Sequence, residues 1–216
     1  MNEAIFMRDP EFQIPDYDSV IKQVKKLIAV CREKIRANKN EAIHDFNQIF
    51  ERELDAILDN LVVINHFHAS ARCLRAALEL VAKNICISGG YGEKTGLCEL
   101  SFADKYKVRK LTWKNESPLL NFVRAEIISE ELFSNFRETY GNLSKYVHYR
   151  ITYELAHTRP DLIKNEQWYA KAAWLVSQKG RDGRDVKATM IEYTLVPALE
   201  VLNDLLDVCR NGPDYL

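Results

Sequence analysis

Late in the chain, Arg137, Gly141, Ser144 and His148 recur at positions i, i+4, i+7 and i+11, and Arg150 follows two residues on. On an α-helix that spacing collects the first four along one edge. A histidine moves protons near neutral pH, because its ordinary pKa lies there. An arginine offers a planar fork of donors to an oxyanion. The glycine lets a second helix approach closely, with the polar groups presented beside the contact. Such an edge suits a composite site at a seam between two subunits. Leu132, Phe136, Leu143 and Val147 form a parallel apolar stripe that would face the core.

Two segments carry a likeness to a known family. Arg72, Arg75, Leu78 and Glu79 lie on an early helix, with an R-x-x-L-E run over residues 75–79. Tyr140, Gly141, Leu143, Ser144, Tyr146, Val147 and His148 form a later run ending in L-S-x-x-V-H. Together they resemble the helical HEPN superfamily, over about residues 60–150. The resemblance implies an antiparallel four-helix core, dimerisation, and metal-independent RNA cleavage at the dimer seam. Members serve in toxin–antitoxin, CRISPR-associated and phage-defence systems. In such a site the RNA 2′-hydroxyl attacks its own phosphodiester. His148 and Arg150 are the candidates for proton transfer and charge stabilisation, with Arg137 and Ser144 supporting.

The chain departs from the family signature, an arginine followed four to six residues later by histidine. Ten residues separate Arg137 from His148, about 16 Å along a helix. Opposed copies in a dimer could bring them together. Arg150 and His157 have six residues between them, but Ile151 stands where a polar residue is expected; His157 is a weaker alternative.

Other clusters weigh less. Lys105, Lys107, Arg109, Lys110 and Lys114, interleaved with Tyr106 and Trp113, could track an RNA backbone while a ring stacks on a base. The overall charge balance favours a solvated lysine-rich loop or hairpin instead. His66 and His68 stand at i and i+2, which do not share a helix face, so they are read as structural rather than metal-binding. The run from Gly89 to Thr95 lacks the adjacent Gly-Lys of a phosphate loop and follows a helix rather than a strand. Trp168, Tyr169, Trp174 and Tyr193 are read as core or packing surface.

The elements that must position these residues are helices. Residues 16–88 contain neither glycine nor proline, a run too long for strands that turn every few residues. Val20, Val24, Leu27, Cys31 and Ile35 mark a first helix, and Asn40 is a candidate N-cap for the next. Ile43, Phe46, Phe50, Leu54, Ile57, Leu58 and Leu61 mark a second. Ala71, Leu74, Leu78, Val81 and Ile85 mark a third, over 68–87. Residues 88–96, with four of the eight glycines, read as a loop. Ser117 and Pro118 suit a helix start. Ser129 caps a helix running to about Arg150, with Glu130 and Glu131 at the positive end of its dipole. Pro160 ends an element, 166–177 is a short aromatic helix, and 179–183 is a turn. A final helix over 186–209 is expected to kink at Pro197.

The totals agree with this picture. With 216 residues and 47% hydrophobic content, the chain can bury a core of its own. A net charge of −1 argues against a general nucleic-acid coat protein but leaves room for a local basic patch. Five cysteines at irregular spacing form no CxxC pair and read as reduced thiols of a cytoplasmic protein. No signal peptide or membrane span is read. The expectation is an all-α antiparallel bundle of about six or seven helices. It has an N-terminal arm (1–17) and one domain (18–216), with a HEPN-like core over 60–150 and C-terminal helices over 166–209. A homodimer, RNA and a cognate protein are the expected partners, with neither metal nor cofactor. The competing reading is a non-catalytic dimerisation or scaffold module on the same fold.

Overall fold

A computed structural model of the chain describes residues 14–37, 44–63, 66–88, 122–124, 126–147 and 182–210. Helix α1 spans Tyr17–Ala37. Asp16 starts it, its Oδ2 accepting the Ser19 N–H at 2.8 Å and satisfying a donor that the first turn leaves open. That backbone bond also holds the Asp16 carboxyl below its ordinary pKa. Helix α2 spans His44–Leu58 and widens into a π turn over Asp59–Val63. Helix α3 spans Phe67–Ser88 and α4 spans Glu130–Val147. Helix α5, Gly183–Met190, passes through a second π turn at Ile191–Leu195 into α6, Val196–Arg210. The described residues contain no strand. None of their helices is long and apolar enough to cross a membrane.

On α1, α2 and α3 the expected stripes are buried, whereas on α4 Phe136 and Leu143 are joined by Phe133, Tyr140 and Tyr146, and the expected Leu132 is only partly buried. On α1, Val20, Val24, Cys31 and Ile35 are buried, with Ile28 at the centre and Leu27 on the flank. On α2 the buried residues are Phe50, Leu54, Ile57 and Leu61. Helix α3 buries more of its circumference because it packs on α2, α4 and α6 together. Ala71, Ala77 and Ala82, all fully buried, keep it slim enough for neighbours on three sides. Each fully buried leucine such as Leu74 or Leu78 contributes about 1.5–3 kcal/mol through loss of apolar surface from water.

Side-chain pairs define the directions. Arg32 pairs with Asp55, and Arg36 Nε reaches Glu51 Oε1 at 3.0 Å, so α1 and α2 are antiparallel. Phe67 meets Tyr146 edge-on at 5.0 Å while Tyr140 reaches Glu79, so α3 and α4 are antiparallel as well. The C-terminal helices run parallel to α1. Arg184 reaches Asp18 at 2.6 Å near one end, and Lys34 reaches Asp207 at 2.6 Å and the Asn203 carbonyl at 3.2 Å near the other. Helix α6 thereby lies against α1, α3 and α4.

Two details differ from the sequence reading. The last helical segment begins at Gly183 rather than 186, because Asp182 Oδ1 accepts the N–H groups of Arg184 (2.8 Å) and Asp185 (2.9 Å). Pro197 is accommodated by the π turn before it. A proline cannot donate to the carbonyl four residues back and its ring crowds that carbonyl. Here the Val196 N–H bonds the Ile191 carbonyl, five residues back, and the widened turn makes room. The expected cap at Asn40, the loop at 88–96, the start at Ser117 and Pro118, the stop at Pro160 and the aromatic helix at 166–177 lie outside the described residues, as do Trp168, Tyr169 and Trp174. Tyr193 is half-buried against the core.

Cys31 and Cys73 are buried and half-buried free thiols. Burial pushes Cys31 from about 9 up to about 12. Burial, with the Glu53 carboxylate second, pushes Cys73 up to about 11. A raised folded pKa means that the unfolded chain releases these protons first, so the stabilisation is complete below about pH 9 and is lost as pH climbs toward 11–12. Thermal melts should therefore show a midpoint that falls steadily above pH 9. Replacing Cys31 by Ala should make that fall shallower; an unchanged slope would show that the thiol does not titrate in this window.

Candidate functional site

Helices α3 and α4 each carry a polar pair four residues apart at the margin of an apolar stripe: Arg75 and Glu79 on α3, Tyr140 and Ser144 on α4. Because the helices are antiparallel, the four residues meet. Arg75 Nε donates to Ser144 Oγ at 3.0 Å, and its Nη2 donates to the Tyr140 hydroxyl at 2.8 Å. The guanidinium lies over the Tyr140 ring, 4.8 Å from its centroid, a cation–π contact. The Tyr140 hydroxyl donates in turn to Glu79 Oε2 at 3.3 Å. Ser144 donates back to the Tyr140 carbonyl at 2.8 Å, the pattern by which a serine settles inside a helix.

Tyr140 and Ser144 are buried, whereas Arg75 and Glu79 are only partly so. Burial, then the nearby Glu79 charge, raises the Tyr140 hydroxyl above its ordinary pKa. It stays a neutral donor at physiological pH. Among the described residues no carboxylate forms an ion pair with Arg75. Its positive charge is held by two neutral hydroxyls and a ring face. A guanidinium so fixed in orientation, and not neutralised by direct pairing, can bind an anion without reorganising.

The structure brings Ser144 together with Arg75 rather than with Arg137. Arg137 is exposed and lies over the Phe133 ring at 5.7 Å, one turn toward the N-terminus of α4. Ser129 Oγ caps that helix as expected, accepting the Leu132 N–H at 3.0 Å. His148, Arg150, His157 and the cations Lys105, Lys107, Arg109, Lys110 and Lys114 lie outside the described residues. His66 caps α3, its Nδ1 accepting the Ala69 N–H at 3.1 Å. His68 packs against Phe67 and Tyr146, with ring centroids at 5.8 and 6.0 Å. Among the described residues no three His, Cys, Asp or Glu side chains converge as metal ligands would.

Arg75, Glu79 and Tyr140 enter the sequence reading only as carriers of a family likeness. A plainer signal was present: polar residues four apart, flanking an apolar stripe, on two helices. A search for arginine and histidine on one helix passes over a cluster whose members come from segments more than sixty residues apart.

Gly141 stands next to Tyr140 in mid-helix. A side chain built on it would meet nothing within 4 Å, so no close packing among the described residues requires a glycine. Its backbone shows no positive φ that would call for one. Glycine in a helix interior costs about 0.5–1 kcal/mol relative to alanine. Gly141→Ala should accordingly raise unfolding stability by up to about 1 kcal/mol in urea titrations; a loss of stability would reveal a close contact at this face. Comparison of the chain with protein-family models, with curated proteins and with solved structures finds no match.

Proposed function

We propose that this chain is a HEPN-like helical protein of a prokaryotic defence or toxin–antitoxin type, and that it cuts RNA without a metal at a seam between two copies. The observation that supports this reading is the interlocking of Arg75 and Glu79 with Tyr140 and Ser144. The two motifs that carry the likeness are far apart in sequence, yet four of their polar members, two from each, form one hydrogen-bonded cluster. Residues that served only their own helices would have no need to meet.

His148 takes the proton of the RNA 2′-hydroxyl as that oxygen attacks the adjacent phosphorus. The bond from phosphorus to the 5′-oxygen breaks, the leaving alkoxide takes a proton from water, and His148 gives up its own proton to the resulting hydroxide. The products are a 2′,3′-cyclic phosphate and a 5′-hydroxyl. Arg150 and Arg137 stabilise charge on the phosphoryl oxygens, and the cations at 105–114 hold the strand. Ser144 orients Arg75 and does not meet the RNA itself, because its hydroxyl is buried and engaged on both sides.

One observation favours a second reading, a non-catalytic dimerising or scaffold module. Ser144 and Arg75 satisfy each other, as a purely structural clamp would. Incubating purified protein with total RNA in excess chelator separates the two. Wild-type protein should release fragments ending in cyclic phosphate, and His148→Ala should lower the rate by about 100-fold or more. Intact RNA in every lane, with and without a cognate partner protein, would leave the scaffold reading standing.

A further inference from the structure

We propose that the α3–α4 seam beside Gly141 is a binding subsite for one phosphodiester of an RNA strand, with Arg75 as its anchoring cation. This rests on RNA being the ligand class proposed above, but it concerns binding rather than cleavage. Three observations converge. First, Arg75 is fixed in direction by Ser144 Oγ and the Tyr140 hydroxyl, and among the described residues it forms no ion pair. Second, Gly141 lies three residues from Ser144, about 60° around the helix, so the missing side chain opens space on the edge where Arg75 arrives. Among the described residues nothing lies within 4 Å of a Cβ built there. Third, Arg137 stands one turn from Gly141 along the same edge, exposed, with its guanidinium over the Phe133 ring. It can swing to a neighbouring phosphate.

A helix N-terminus contributes nothing here; the recognition is by guanidinium groups, which match a phosphate in charge and in the geometry of paired donors. The alternative occupant of a mid-helix glycine is a helix from a second copy. Seating one there takes the Arg75 charge further out of water, which is unfavourable unless the incoming helix brings a carboxylate to it. A phosphodiester brings the missing negative charge with it. Glu79 is the opposing influence. Its carboxylate is tied to the cluster through the Tyr140 hydroxyl and weakens the field that an anion meets at Arg75.

Fluorescence anisotropy with a labelled twelve-nucleotide oligouridylate tests the subsite, in chelator, on a His148→Ala background so that the probe stays intact. Arg75→Gln should weaken binding by about tenfold or more and reduce the slope of log K against log salt by about one. Arg75→Lys should fall between. Gly141→Glu should weaken binding at least as much, and it removes no contact, so its melting temperature should not drop. Glu79→Gln should strengthen binding a few-fold. The subsite is overturned if the parent protein does not bind the probe, or if Arg75→Gln and Gly141→Glu, both folded by circular dichroism, bind with parental affinity and salt slope. It is equally overturned if Gly141→Glu splits a dimer while RNA affinity stays unchanged, since the face would then belong to a second copy. Cleavage by the wild-type chain reports separately. Binding that needs Arg75 without cleavage retains the subsite and removes the nuclease, whereas cleavage indifferent to Arg75 does the reverse.

Discussion

Helix α3 is enclosed by α2, α4 and α6, and that enclosure governs where the chain can carry charge. A helix packed on three sides must be apolar around most of its circumference. Leu74, Leu78, Val81 and Ile85 form the central stripe, and Ala71, Ala77 and Ala82 widen it without pushing the neighbours away. Arg75 and Glu79 occupy the margin that remains, facing α4. A cation half out of water must find donors' partners or a counter-charge. Helix α4 meets this need with a hydroxyl from Ser144 and a hydroxyl and ring face from Tyr140. The seam is therefore polar because of how the core is closed, and the polar groups in turn fix how α3 and α4 sit against each other.

The C-terminal helix closes the bundle from the other side. Its parallel course beside α1 is set by Lys34 with Asp207 and by Arg184 with Asp18. Arg184 also lies 4.9 Å from the Tyr17 ring centroid. The Arg184–Asp18 pair is exposed, and pairs of that kind contribute little stability on their own. Their value is in register, since apolar stripes alone slide easily past one another. The π turn at Ile191–Leu195 serves the same fit. It lets a proline sit inside a long helix, and it places Thr194 Oγ1 at 3.4 Å from the Tyr146 hydroxyl on α4. At Pro197 the chain relieves the clash by widening the preceding turn.

The helical class, the buried stripes and the Ser129 cap were all readable from residue type and spacing, because each depends on contacts within a few residues. Asp182 was readable in principle, but its neighbour Gly183 drew the reading toward a turn. The candidate site was legible only in part. Arg137, Gly141 and Ser144 do lie on α4 at the expected spacing, yet Ser144 is buried under Arg75 rather than open beside Arg137. Which of two polar edges turns inward is decided by a partner helix distant in sequence, and a period of 3.6 residues carries no information about that partner. The parallel course of α1 and α6 was hidden for the same reason.

The turn from Tyr140 to Ser144 is weak as an isolated helix. Gly141 lowers its propensity, and Ser144 back-bonds to the Tyr140 carbonyl, which competes with regular helical bonding. The tertiary cross-link from Arg75 grips this turn at both Tyr140 and Ser144, beside the packing of the buried Leu143. The arginine is thus two things at once: the clamp on the least self-sufficient turn of α4, and the cation on its open edge. An anion at the proposed subsite would meet a guanidinium already oriented by the hydrogen bonds that tie this turn to α3. Binding at the proposed subsite would thus be coupled to order in the second half of α4 through one side chain, with no need for a longer path through the core.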